Sequence, residues 1–351
     1  MGAIRKAVPL MLGVAALMPP LAAASERCAA ERLGESPPAV NLRIDNDLLG
    51  SGDQDQGYTN GAVITLVSPD LVDYINDPCL PGIARWLNSW IDGNPTSPAD
   101  QKNMVFSVGQ SLYTPQDWTR SDVIQDDRPY AAIVMTSFGY NIRRGSSLRT
   151  TQLRIGVVGP IALGEEVQDA VHDAIGDDKF SGWDNQLRNE PLIGIVHERM
   201  AKHTGNTLGG SDVQWDVISH WGGSLGNAFS HANAGAELRL GWSLPDDFGS
   251  TPTRPAGENT APGGSRSHGL SGHVFLTSDV RWVVRDITLD GNTFRSSHSV
   301  NKRSFVGEVG FGVVLSYDKW KFALARYYRS REFDGQADTP VFGSFTISRT
   351  L

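Results

Sequence analysis

The chain has 351 residues, 31 basic against 39 acidic, and a formal net charge of −8, a balance that argues against nucleic acid and suits a surface recruiting divalent cations. No stretch beyond the first two dozen residues approaches the roughly 18 continuous apolar residues of a membrane-spanning helix, which excludes a helical membrane protein. Glycine is abundant at 38 residues and mean hydropathy is −0.26, which fits strands apolar on one face only, in a membrane barrel or a soluble all-β domain.

Residues 1–24 carry Arg5 and Lys6, an apolar stretch from Val8 to Leu21 and then Ala22, Ala23 and Ala24, the three-part layout of a secretory signal peptide. Pro9, Pro19 and Pro20 interrupt the apolar part, so it is a poor membrane span. The expected division is 1–24 as signal peptide and 25–351 as the mature domain, with 29 basic residues left against 39 acidic. Cys28 and Cys79 remain after processing, and an exported chain is expected to pair them. Closing such a loop of about fifty residues stabilises by about 3 to 4 kcal/mol on the chain-entropy account.

Period-two alternation then recurs along the chain. Phe305, Gly307, Val309, Phe311, Val313 and Leu315 alternate with Val306, Glu308, Gly310, Gly312 and Val314; Ala234, Ala236, Leu238, Leu240 and Trp242 alternate with Asn233, Gly235, Glu237, Arg239 and Gly241. A sandwich buries such an apolar face against a second sheet, whereas a membrane barrel turns it to lipid. Glu237, Arg239 and Glu308, mid-strand on the other face, favour the barrel with a polar interior. The strands predicted are roughly 40–47, 58–68, 103–112, 130–143, 148–158, 192–202, 212–223, 231–243, 269–288, 302–316, 319–331 and 341–351, an even number, as single-chain bacterial barrels have. The fold expected is therefore all-β, a twelve-stranded antiparallel transmembrane β-barrel. With both termini periplasmic, the segments 69–102 and 244–268 are longer than the short periplasmic turns such barrels favour. The β pattern breaks at Gly164–Gly176, GEEVQDAVHDAIG, which reads as a short helix in the third extracellular loop with Val167, Ala170, Val171, Ala174 and Ile175 as its apolar side.

The polar motifs gather at one rim. Gln168 and His172, four residues apart, share one face of the helix; a histidine so held is either a base near neutral pH or a polar loop residue. Asp45, Asn46 and Asp47 end the first strand and offer hard oxygen ligands that, with Asp53 and Asp55, suit calcium, although Asn and Asp are also ordinary turn residues. Gly222–Gly226, GGSLG, matches a nucleophile-elbow pattern but sits between two strands, where that motif needs a strand and a helix. His197-Glu198 lacks the second histidine of a zinc-protease motif.

Asn46-Asp47, Tyr58-Thr59 with Gly61, Gln110 with Tyr113 and Pro115, Asp127-Arg128, and the run from Gly156 to Pro160 through Gln168 and His172 to Trp183 together resemble the outer-membrane lipid A 3′-O-deacylases, the LpxR-like family. The ordered match spans nearly all of the mature chain. The resemblance implies a bacterial outer-membrane location, a site between the barrel wall and the helix facing the outer leaflet, and calcium-dependent hydrolysis of the 3′-acyloxyacyl ester of lipid A. It places His172, Asn46, Asp47, Thr59 and Gln168 at the catalytic centre, Asp47 and Asp178 on calcium, and Arg120, Arg128 and Tyr58 against substrate. The partner implied is lipopolysaccharide, bound by a monomer embedded in the membrane. Three positions depart from the family pattern: Thr119-Arg120 stands for a Lys-Arg pair, Asp178 for a glutamate, and Leu351 for a terminal aromatic residue. Two alternatives are a serine-type outer-membrane phospholipase or esterase using Ser224 or Ser111, and a non-enzymatic channel or surface-binding barrel.

Overall fold

The computed structural model describes residues 37–47, 57–71, 74–77, 80, 82–91, 99–176, 178–205, 207, 212–249 and 269–351. The expected signal peptide, the expected Cys28–Cys79 pair, and Asp53 and Asp55 lie outside these residues.

Twelve antiparallel strands close into a barrel: β1 (Ala39–Asn46), β2 (Gly57–Val67), β3 (Gln101–Thr114), β4 (Ala131–Arg144), β5 (Ser147–Val158), β6 (Glu190–Thr204), β7 (Val213–Gly226), β8 (Phe229–Trp242), β9 (Leu270–Asp286), β10 (Phe305–Tyr317), β11 (Trp320–Arg329) and β12 (Val341–Thr350). Each strand pairs with its sequence neighbour, and β1 closes on β12 with Ile44 opposite Phe345. Closure removes every unpaired strand edge, the condition for spanning hydrocarbon with strands.

The alternation read from the sequence decides which side chains face out. Phe305, Val309, Phe311, Val313 and Leu315 are exposed, as are Leu238, Leu240 and Trp242, while Glu237, Arg239 and Glu308 are buried inside. The lumen is filled by paired charges. Arg239 donates to Asp216 and Asp247, Arg281 bridges Asp279 and Glu308, and Arg329 bridges Glu308 and Glu332. Such a network keeps buried charges from standing alone, a condition that costs several kcal/mol per ion when unmet.

The connections sort by rim. At one rim, tight turns join β4 to β5 and β10 to β11, and the segment after β2 forms α1 (Gly82–Ile91), a helix the sequence reading did not anticipate. Its Asn88 donates to the Tyr74 carbonyl and accepts from the Tyr140 hydroxyl, at 2.7 and 2.6 Å. Register places Tyr140 on the outer side of β4, so α1 rests against the outside of the wall. At the other rim lie the connections after β1, β3 and β5, the last containing α2 (Gly164–Ile175), together with α3 (Ile287–Asp290) after β9 and the loop after β11.

Candidate active site between the outer wall and a loop helix

The predicted helix forms within one residue of the expected bounds, as α2. Leu163 enters it in the left-handed region, at φ 56°, and Gly176 leaves it at φ 80° with its N–H bonded to the His172 carbonyl. A left-handed glycine is the usual C-terminal stop, whereas a left-handed leucine is uncommon and held by its surroundings. The face that docks is more polar than the sequence suggested. Gln168 and His172 are 2% and 4% exposed, while Val167, from the apolar side, packs at the margin of the contact.

Strand register identifies what α2 docks on. Leu112 on β3 pairs with Ala132 on β4, and Val134 pairs with Val157 on β5. All four point away from the lumen and join Ala162, Phe180, Trp183 and Tyr130 in one cluster. The helix therefore lies on the membrane-facing side of the barrel, not over its mouth. Its first residue touches the wall closely: a Cβ on Gly164 would sit 2.5 Å from the Ala132 Cβ and 2.8 Å from the Trp183 ring. Gln110, also outward on β3, donates to the Ala162 carbonyl at 2.6 Å and ties the helix approach to the strand.

Beside this cluster, a β-bulge reshapes β2. Tyr58 pairs with Tyr113, yet Asn60 pairs with Leu112, so Thr59 is an extra residue. Bulges re-aim side chains, and they concentrate near active sites. Here Tyr58 turns inward, while Thr59 meets Thr114 on the outer side, hydroxyl to hydroxyl at 2.6 Å. Asn46 pairs with Asn60 and faces outward too, its amide reaching the Thr59 carbonyl at 3.4 Å, and the Asp47 N–H bonds to the same carbonyl at 3.2 Å. Asn46, Asp47, Thr59, Thr114 and the α2 cluster are thus contiguous through β3.

The histidine is held in one orientation. Its Nδ1 lies 2.5 Å from the Asp178 carbonyl, and its ring meets Phe180 edge-on with centroids 5.0 Å apart. A carbonyl only accepts, so Nδ1 carries a proton, and in the neutral tautomer this selects, Nε2 is the basic nitrogen. Gln168 accepts from the Trp183 indole N–H at 3.1 Å, which fixes its oxygen, and its buried Nε2 has no hydrogen-bond partner among the described residues. Phe180 stacks on Trp118 and Trp183 tilts against Tyr130, so the loop after β3 roofs the same pocket.

Other predicted site residues sit elsewhere. Asp45, grouped with Asn46 and Asp47 in the sequence, turns into the lumen, where it accepts from Arg43 and Tyr58 at 2.6 and 2.8 Å; neighbouring strand residues point to opposite faces. Tyr58 is therefore committed to the lumen side. Arg128 is also lumenal: it is 1% exposed, ion-paired to Glu332 at 2.6 Å and flanked by the rings of Tyr113 and Phe333. Arg120 is exposed at the rim and paired with Asp122. Asp178 meets His172 through its backbone, and the residue is exposed. Ser111 and Ser224 face the lumen; the Ser224 hydroxyl donates to the Phe229 carbonyl, and neither serine is bonded to a histidine among the described residues. GGSLG falls on β7 at a hairpin, as its strand-to-strand setting predicted.

Asp47, Asn46 and Thr59 offer a carboxylate, an amide and a hydroxyl, the oxygen donors that calcium takes. Among the described residues no three His, Cys, Asp or Glu side chains gather as a metal cluster. The set fits calcium in kind, with one carboxylate, and backbone oxygens, water or substrate completing a shell. Thr114 and Trp183's bond to Gln168 were not singled out by sequence reasoning. The only sequence signal for Thr114 is its place at the end of β3, on the outward parity set by Leu112.

A family model described as outer membrane protein LpxR matches residues 10–351. Among solved structures, LpxR from Salmonella typhimurium is similar with a TM-score of 0.68 at 20% identity, covering 89% of this chain and 100% of that one. The β domain of the Bordetella autotransporter BrkA aligns at a TM-score of 0.41 and 8% identity, covering 91% of this chain and 100% of that one. None of the curated proteins compared with the chain matches it. With the model covering all but the first nine residues and the barrel, loop helix and outer-wall site in place, the chain belongs to the LpxR family of outer membrane proteins.

Proposed function

We propose that the chain is a lipid A deacylase, hydrolysing the 3′-acyloxyacyl ester of lipopolysaccharide with water activated by His172. The observation that carries this reading is the placement of His172 and Gln168 between α2 and the outward side of β3 and β4. A site on that side of the wall faces the bilayer, where a lipid ester lies, rather than the lumen. The tight turns after β4 and β10 on the opposite rim, set against the loops after β3, β5, β9 and β11 on the site rim, support an extracellular site rim, against the long segments 69–102 and 244–268; on that reading the site faces the outer leaflet, where lipopolysaccharide resides.

His172 Nε2 removes a proton from water as the oxygen attacks the acyl carbonyl, and returns it to the departing sugar oxygen. The products are a free fatty acid and a hydroxyl on lipid A. The unpartnered Gln168 Nε2 donates to the developing oxyanion or positions the water, held by Trp183. Asn46 and Thr59 orient these groups from the wall. Asp47, with Asn46 and Thr59, would hold calcium, which when bound would supply positive charge at the acyl carbonyl. Asp178 acts through its carbonyl on the histidine, and Arg120, exposed at the rim beside Asp122, would exchange that partner for a substrate phosphate.

The test is mass spectrometry of lipid A incubated with purified protein. The unaltered protein is expected to release the 3′-linked acyl chains, and His172→Ala to lower the rate by about 10²- to 10⁴-fold. A chelator should suppress the reaction and calcium restore it. A serine-directed phosphonate should label nothing. Unchanged acyl chains with the unaltered protein, or full activity in His172→Ala, overturns the reading.

A further inference from the structure

We propose that the outer wall, at the rim opposite the groove, carries a second lipid site, one that takes the phosphate of a glycerophospholipid headgroup on Arg149 and Arg199. Arg149 lies two residues into β5 from the tight turn, and it pairs directly with Arg199 on β6. Their strand neighbours Leu148, Thr150, Glu198 and Val196 are buried on the lumen side, so both guanidiniums stand on the membrane-facing side, where they are exposed.

Like charges directly opposite one another on a sheet are destabilising, and in the lumen Arg239, Arg281 and Arg329 are matched to carboxylates. This pair is not: neither Arg149 nor Arg199 has an acidic partner among the described residues. An anion between them removes the repulsion. Two planar forks on adjacent strands suit the tetrahedral oxygens of a phosphate, which arginine binds through paired hydrogen bonds.

The surroundings match a lipid rather than a free ion. Arg199 lies over the ring of Trp221, 5.3 Å from its centroid, and Trp221 pairs with it from β7 and is exposed. Tryptophan beside arginine is the usual composition of a headgroup interface. One step further along the same strands Thr151 Oγ1 and His197 Nδ1 stand 2.9 Å apart, and beyond them Ile195, Ile193, Ile155 and Leu225 form an exposed apolar track. From Arg199 to Ile193 is six residues, about 20 Å of strand, long enough for an acyl chain of one leaflet. Charge at one end and apolar surface along the rest commit the site to a membrane lipid with an anionic head.

The experiment is native mass spectrometry of the barrel in neutral detergent, titrated with phosphatidylglycerol or with diacylglycerol, which lacks the phosphate. Heat-modifiable electrophoretic migration verifies that each variant is folded. The unaltered protein is expected to retain phosphatidylglycerol at concentrations roughly 30-fold lower than the Arg149→Gln/Arg199→Gln double variant, since each basic group near an anionic surface contributes about one factor of five. Diacylglycerol should bind both alike. Equal retention of phosphatidylglycerol by the two proteins, or no preference of the unaltered protein for it over diacylglycerol, overturns the proposal. The readout involves neither deacylation nor calcium, so it stands or falls apart from the function proposed above.

Discussion

Thr59 and Tyr58 are adjacent in sequence and serve opposite faces of the wall. Thr59 keeps its hydroxyl against Thr114, a fully buried partner 2.6 Å away. Without that bond the Thr59 side chain has other rotamers available, and the oxygen it offers the groove is no longer fixed. Thr114→Val, which keeps the shape, is therefore expected to lower deacylation about tenfold, the worth of one hydrogen bond, with Thr114→Ser restoring most of it. Rates normalised to the folded barrel, counted by heat-modifiable migration, separate this from a folding defect, which would reduce the amount of active barrel and leave the rate per folded molecule unchanged. Arg128 shows the converse: a basic residue near the site motifs serves the lumen, because its partner Glu332 lies 204 residues away, a distance no local pattern reports.

At the scale of elements, α2 depends on how closely its first turn can approach the wall. Gly164 has room for no Cβ between Ala132 and the Trp183 ring, and both neighbours are rigid. Gly164→Ala should displace the helix start at a cost of about 1 to 3 kcal/mol, lowering activity while the barrel keeps its heat-modifiable migration. Limited proteolysis within 159–189 should become faster. The helix itself was legible, since its apolar and charged residues break the period of two. Its docking was not: Gln168 and His172 bury more deeply than Val167, Ala170 and Val171, with the Trp183 indole and the Asp178 carbonyl as polar partners.

Across the whole molecule, ion pairs join loops from distant parts of the chain through the lumen. Glu332 lies after β11. Burial, its largest single influence, raises the pKa, but Arg128, Arg329 and Arg281 together outweigh it and hold the carboxyl below its ordinary value. A depressed carboxyl stabilises the fold above its unfolded pKa, about 4.3, and that contribution is lost as pH falls through the lower folded value. The thermal midpoint of the unaltered barrel should therefore fall below about pH 4.3. Glu332→Gln should lower it already at neutral pH, by an amount corresponding to about 3 to 5 kcal/mol for a broken buried pair, and flatten the acid dependence; scanning calorimetry between acid and neutral pH checks both. The same filled lumen opposes a wide channel. A cavity of about 90 Å³, lined by Arg281, Arg329 and Glu332 among others, holds little more than a few waters.

The sequence by itself determined the twelve strands, their order and the position of the loop helix, because alternation and its interruption are local consequences of a wall with lipid on one side and polar groups on the other. It also brought the site motifs to one rim, since strand count alone assigns loops to ends. Only the tertiary structure decided which face each residue takes. The bulge at Thr59 shifts the parity of β2, alternation separates Asp45 from Asn46, and Arg128 finds its carboxylate on another loop. Strand register and barrel closure are contacts between distant segments, and these determine that α2 docks on the outward side of the wall.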